Sequence, residues 1–270
     1  MRSTSVVVAM YALASVVHAQ TPASGAAARP PIRDNSFLVE EAYNQEARVV
    51  QHISVLSLTR DGEGWEYGFT QEWPAGSQRH QLSVTVPILS AAGATGVGDV
   101  ALNYRHQVAF DDASGDAFAP RLSLVFPTGD ADHGRGTSSL GLQVNLPLSW
   151  GWHRALVTHW NVGGAWTPSA RAPSGGRVAT RDVTAAASAI WLARRAVNVM
   201  LEFAWAREEL AVGTDARVAE ESAWISPGLR AAIDFPSGLQ IVPGVAFPIG
   251  VGPSESEKRV LVYLSFEHGF

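Results

Sequence analysis

From about residue 48 onward the apolar positions recur every second residue. Leu140, Leu142, Val144, Leu146 and Leu148 alternate with Ser139, Gly141, Gln143, Asn145 and Pro147. Leu82, Val84, Val86 and Ile88 alternate with Gln81, Ser83, Thr85 and Pro87. Val100, Leu102, Tyr104, Val108 and Phe110 share one parity, as do Leu122, Leu124 and Phe126. Farther on, Leu156, Thr158, Trp160, Val162 and Trp166 repeat the pattern, then Val197, Val199, Leu201, Phe203 and Trp205, and finally Val260 to Phe270. Successive side chains of a strand point to opposite faces, so each run predicts a strand with one greasy and one polar face. Around Val183 to Leu192 both parities are alanine-rich and the alternation fades.

These runs give about twelve strands, counting a first one at about Val49 to Thr59. Each covers about 10 to 14 residues, whereas strands of soluble sandwiches usually have about 5 to 6 and strands tilted across a hydrocarbon core about 9 to 11. The links also alternate. Ala91 to Gly96, Thr128 to Gly136, Thr167 to Arg181, Glu208 to Glu220 and Gly250 to Glu257 are mostly long and polar; so is the neighbourhood of Asp61-Gly62-Glu63. Pro74 to Ser77, Trp150 to Trp152, Ala193 to Arg195 and Pro236 to Gly238 are tight. The pattern predicts an all-β fold: an antiparallel, up-and-down transmembrane β-barrel over residues 48–270, with both termini on the tight-turn side.

Composition sharpens this picture. Charged residues make up 17%, cysteine is absent, and the net charge of −5 gives no reason to expect nucleic acid as a partner. Nine tryptophans fall mostly at strand ends: Trp65, Trp166 and Trp205 near long loops, Trp73, Trp150, Trp152 and Trp191 near tight turns. Two aromatic belts at the edges of a bilayer account for that spacing. Residues 1–19, with Arg2 and the apolar run Val6 to Val17, read as a secretory signal cleaved after Ala19. Residues 20–47 read as a periplasmic leader or as a plug; in particular Phe37 to Glu46, acidic and partly apolar, either folds into the lumen or lies beneath the barrel. Such a chain is expected in the outer membrane of a Gram-negative bacterium, with the bilayer, the outer-membrane assembly machinery and a small solute as partners. A final strand ending in Phe270 supplies the expected assembly signal.

Several segments resemble the outer-membrane transporter family grouped with phenol-degradation meta-pathway proteins. They are Asn35 to Glu46, Gln51-His52-Ile53, Gln71-Glu72-Trp73-Pro74 with Arg79 to Leu82, Gly96-Val97-Gly98-Asp99-Val100, and Phe126-Pro127-Thr128-Gly129-Asp130. The resemblance spans about Asn35 to Phe270. It implies a barrel that passes small, often hydrophobic or aromatic, solutes, and it transfers no site residues.

On the parity opposite the apolar one lie Asp99, Asn103, Arg105, Arg121, Gln143, Asn145, His159, Asn161, Asn198, Glu202, Arg230 and Asp234. In a barrel that face is the lumen. Two readings stay open: a water-filled path biased by charge, or a packed lumen in which opposite charges pair. The expected function is passive transport of a small solute. The alternatives are an outer-membrane lipid hydrolase and a structural or surface-interaction barrel without a pore. For the hydrolase, His133 with Ser138 or Ser139 is the candidate set, but no Gly-x-Ser-x-Gly pattern surrounds it. Asp130 and Asp132 form a candidate calcium pair, a pattern far more often found in solvated turns. No catalytic residue, metal or cofactor is assigned.

Overall fold

The computed structural model describes residue 32 and residues 36–60, 64–91 and 94–270. The expected signal peptide and most of the leader lie outside the described residues. One antiparallel sheet closes on itself into a barrel of twelve staves. Stave 1 is Val49–Thr59, stave 2 Trp65–Ala75 and stave 3 Ser77–Ala91. Stave 4 comprises Ala94–Val97, Val100–His106 and Ala109–Asp111; stave 5 comprises Asp116–Phe118 and Arg121–Phe126; stave 6 comprises Gly141–Asn145 and Leu148–His153. Staves 7, 8 and 9 are Leu156–Arg171, Arg177–Arg194 and Val197–Gly213. Stave 10 comprises Ala216–Ala231 and Ile233–Asp234, stave 11 Gln240–Ala246 and Ile249–Gly250, and stave 12 is Arg259–Gly269. Closure comes from pairing of stave 1 with stave 12, in register from Val49 opposite Gly269 to Thr59 opposite Arg259.

Prolines set the breaks within staves. Pro120, Pro147 and Pro248 each remove a ladder donor. Neighbouring groups bridge the gaps: His106 N–H donates to Pro120 O, Ala119 N–H to Pro147 O, and Phe247 N–H to Pro227 O. The wall therefore stays continuous.

The outer face is apolar. Leu102, Leu122, Leu124, Leu142, Val144, Val199, Leu201, Phe203, Leu229 and Val262 all point outward and are exposed. At the turn end of staves 6 to 8, Trp150, Trp152 and Trp191 are exposed on the same face. Trp152 and Trp160 both donate their indole N–H to the Thr158 hydroxyl at 3.0 Å. That contact explains a buried threonine among apolar outward residues, because an indole N–H facing hydrocarbon needs an acceptor.

Two links differ from their expected length. The segments Thr167 to Arg181 and Glu208 to Glu220 read as long loops, yet only residues 172–176 and 214–215 lie outside strands there. Staves 7 to 10 run on as two projecting hairpins, the second closed by a two-residue turn in which Asp215 takes φ 55°. Past the apolar band of staves 9 and 10 the outward parity turns charged or small while Leu210, Val212 and Val218 fall on the other parity, so the alternation loses its phase. Pairing persists: Arg207 stands opposite Glu221, and Leu210 opposite Val218.

Candidate functional site: the barrel interior and its inner segment

Residues 36–45 run inside the barrel as a bent segment that is neither helix nor strand, and the wall supplies the backbone partners it lacks. Three alternate amides find side-chain acceptors on three staves. Leu38 N–H donates to Glu202 Oε1 (2.8 Å), Glu40 N–H to Asn161 Oδ1 (2.9 Å) and Ala42 N–H to Ser149 Oγ (2.9 Å). Carbonyls are met in the same way: Asn161 Nδ2 donates to Glu40 O, and Gln107 Nε2 to Ala42 O. The path then turns along staves 4 and 3. Asn44 Nδ2 donates to Gln78 O, Gln45 N–H donates to Gln81 Oε1, and the Tyr43 hydroxyl donates to Gly115 O at 2.6 Å. A buried backbone group left unpaired is costly, so this segment is specified by the amide and hydroxyl side chains around it.

Charge concentrates where Glu40 reaches the centre. Its Oε2 accepts from Arg121 Nε (2.9 Å) and Asn145 Nδ2 (2.8 Å), and its Oε1 lies 3.2 Å from Arg105 Nη1. Burial alone raises a carboxyl pKa, but the Arg121 and Arg105 guanidiniums outweigh it and hold Glu40 below the usual carboxylate range. Arg105, fully buried, also donates to Asn44 Oδ1 and to the Glu41 and Tyr43 carbonyls, with Glu41 and Glu72 carboxylates within 4.0 Å. Arg121 donates further to Asn103, Ser123 and Gln143.

The other half of the interior carries an apolar cluster among its polar side chains. Ile53, Ile190, Met200, Val242, Ala246, Leu261 and Tyr263 point inward and pack with Ile32 and Phe37. The Phe37 ring lies over two glycines. A Cβ added at Gly228 would stand 2.7 Å from the ring, and one at Gly244 2.6 Å. Only hydrogen at both positions leaves the slot that the ring fills.

Two cavities flank Leu38 to Glu40. One of about 280 Å³ is lined by Arg121, Gln143, Thr184, Ala186, Ala204 and Trp224 among others. The second, about 310 Å³, has an apolar wall of Phe37, Ile53, Val55 and Tyr263 facing Thr70, Thr85, Asn103 and Arg121. The alanine-rich stretch of stave 8 now has a reason: small inward side chains leave the first cavity open.

The residues singled out from parity divide by location. Asn103, Arg105, Arg121, Gln143, Asn145, His159 and Glu202 surround the inner segment or its neighbours; His159 Nδ1 lies 2.7 Å from Ser149 Oγ, the acceptor of Ala42. Arg230 is buried beside the Phe37 slot. Asp234 sits exposed at the turn-side rim, where it accepts from Gln240 Nε2. Asp99 is at the loop end and holds a loop instead of the inner segment. Its Oδ1 accepts from Gly129 N–H (2.9 Å), and its Oδ2 accepts from Thr137 N–H and hydroxyl. Thr128 Oγ1 donates to Gly98 O and accepts from Val100 N–H. The Gly-Asp and Pro-Thr-Gly-Asp segments thus clasp each other, and a Cβ at Gly129 would meet Arg135 O at 1.9 Å. Within that loop Asp130 pairs with His133 and Arg135, and Asp132 with Arg171. The Ser138 and Ser139 carbonyls accept from Arg177 and Thr137.

Parity missed the apolar inward residues Ile190, Met200, Leu261 and Tyr263. A signal for them existed, since staves 8, 9 and 12 carry apolar residues on both parities there.

No protein-family model matches the chain, and no curated protein matches it. Solved structures do. An outer-membrane channel from Pseudomonas putida superposes with TM-score 0.62 at 12% identity, covering 84% of this chain and 98% of that one. The NanC porin gives 0.55 at 8%, covering 81% and 100%, and the KdgM porin 0.51 at 10%, covering 82% and 99%. At these identities the shared property is the closed barrel fold, and it is the fold of outer-membrane channels.

Proposed function

We propose that this chain is an outer-membrane channel for passive passage of small solutes, held closed at rest by residues 36–47 acting as a plug. One observation carries the reading: the inner segment occupies a lumen with a cavity of about 280 Å³ on one side and about 310 Å³ on the other. A barrel built only for rigidity gains nothing from such space, because unfilled volume forfeits packing energy. The apolar outer band supports a bilayer as its surroundings. Cleavage of residues 1–19, termini on the periplasmic side and reading of Phe270 by the assembly machinery complete this proposal. The motif segments align it with the phenol-degradation meta-pathway group. The two-sided second cavity favours small solutes with one apolar face.

Planar-bilayer recordings test this directly. The intact mature chain is expected to show little conductance, and a variant lacking residues 36–45 stable conductance steps. A variant that inserts, migrates as a folded barrel and still passes neither ions nor small solutes would sink the channel reading and leave the structural barrel.

A further inference from the structure

Four histidines face outward near the turn end of staves 12, 1, 3 and 4: His268, His52, His80 and His106. They form two groups of different character. His52 is sandwiched between aromatic rings, with Phe266 at 4.7 Å, Phe69 at 6.1 Å and His268 at 5.6 Å between centroids. Its ring faces are spent on packing. His80 and His106 are register partners across staves 3 and 4. Their rings are nearly parallel (10°) with centroids 4.9 Å apart, and His106 is exposed. Tyr104, two residues along the same face as His106, places its hydroxyl 2.6 Å from His80 Nδ1.

We propose that His80 and His106 form a two-imidazole site for a late first-row divalent ion at the turn-side edge of the outer surface, with Tyr104 as its positioning residue. Imidazole suits Cu²⁺, Ni²⁺ and Zn²⁺, and affinity for a given nitrogen site rises toward Cu²⁺. Metal–nitrogen bonds of about 2.0–2.1 Å place two coordinating nitrogens roughly 2.9 Å apart at the right angle of tetragonal Cu²⁺ and roughly 3.3 Å apart at the tetrahedral angle of Zn²⁺. Cross-strand partners on one sheet face start with Cβ atoms about 4.5–5.5 Å apart, so tilting the two rings about χ2 closes the remaining distance. The exposed side of His106 leaves room for that tilt.

Tyr104 supplies the second requirement. A ligating histidine usually donates its other ring N–H to an oxygen, which fixes the tautomer and the ring plane. With His80 Nδ1–H donating to the Tyr104 oxygen, Nε2 presents its lone pair to the ion. Among the described residues no group of three or more His, Cys, Asp or Glu side chains is placed to hold a metal ion. The site therefore has two protein ligands, and water fills the remaining positions.

The test uses the untagged mature chain in detergent, titrated with Cu²⁺ and followed by calorimetry and electron paramagnetic resonance. One ion per barrel is expected, with hyperfine structure from two nitrogens. His80→Ala and His106→Ala should each abolish that signature. Tyr104→Phe should keep two nitrogens while weakening affinity on the order of tenfold, the usual size of such an outer-shell effect. The double variant His52→Ala/His268→Ala should bind as the parent does. Heat-modifiable gel migration verifies that each variant is folded. Cu²⁺ binding that survives in His80→Ala/His106→Ala, or absence of binding below about 100 μM in the parent, overturns the proposal.

Discussion

Glu40 has charged and amide partners on three staves, so it is the residue whose chemistry decides whether the inner segment stays docked. Removing one partner of a buried ion pair leaves the other charge uncompensated, at roughly 3–5 kcal/mol. Glu40 is partly accessible, which puts the expected cost at the lower end, about 3 kcal/mol, or on the order of a hundredfold in the docking equilibrium. The pH dependence follows from its lowered pKa. The docked form binds fewer protons than the released form, so ionised Glu40 favours docking above its ordinary value of 4.5. That contribution is lost as pH falls below 4.5 toward the docked value. Single-channel recordings from pH 7 to 3 should show open probability rising only in the acid part of the range, and Glu40→Gln should flatten this dependence. An identical acid response in Glu40→Gln would place the titrating group elsewhere. Parity alone placed Arg105, Arg121 and Asn145 opposite the greasy face. Their partner was hidden, because Glu40 lies 65, 81 and 105 residues away from them in the chain.

At the scale of elements, the inner segment is held by unlike ends. Its polar stretch follows amides and hydroxyls, whereas Phe37 is fixed by shape in the slot over Gly228 and Gly244. Gly244→Val puts carbon where the ring now sits, and overpacking of this kind typically costs about 1–3 kcal/mol. Phe37→Ala removes the same contact from the other side, at about 3–5 kcal/mol if the slot does not collapse. Either change should speed proteolysis at Arg48 or raise conductance while leaving the barrel heat-modifiable. The pair supplies its own control: with Ala at position 37, adding Val at 244 should cost little more, a non-additivity expected of residues in contact. Full additivity would mean that Gly244→Val acts through the wall. Neither glycine announced this role. Each sits on the quiet parity of a strand, and only the register of staves 10 and 11, with Gly228 opposite Ala246 and Gly244 opposite Arg230, sets them on a diagonal under one ring.

For the whole molecule, alternation located the barrel but not its height. Period two with a fixed phase marks a strand only while one face meets hydrocarbon, so in the sequence staves 7 to 10 read as ending where they leave the apolar band. Stave 9 makes this testable because it contains 17 residues, whereas a tilted strand needs only about 9–11 to cross the hydrocarbon. Leu201 points outward beside Val199 and Phe203. Ala211 lies on the same parity of the same strand, beyond Arg207 and Glu209. The two positions share one face and differ in height along the strand. If the apolar band is the membrane zone, Leu201→Arg should cost about 2–4 kcal/mol, the penalty for a cationic side chain on the lipid face near the midplane. Ala211→Arg, out in water, should stay within about 0.5 kcal/mol, as surface substitutions do. Reversible denaturant unfolding in lipid vesicles measures both. Equal penalties would mean that the hairpin is embedded too, and a tolerated Leu201→Arg would mean that the outer face of stave 9 does not meet lipid at all.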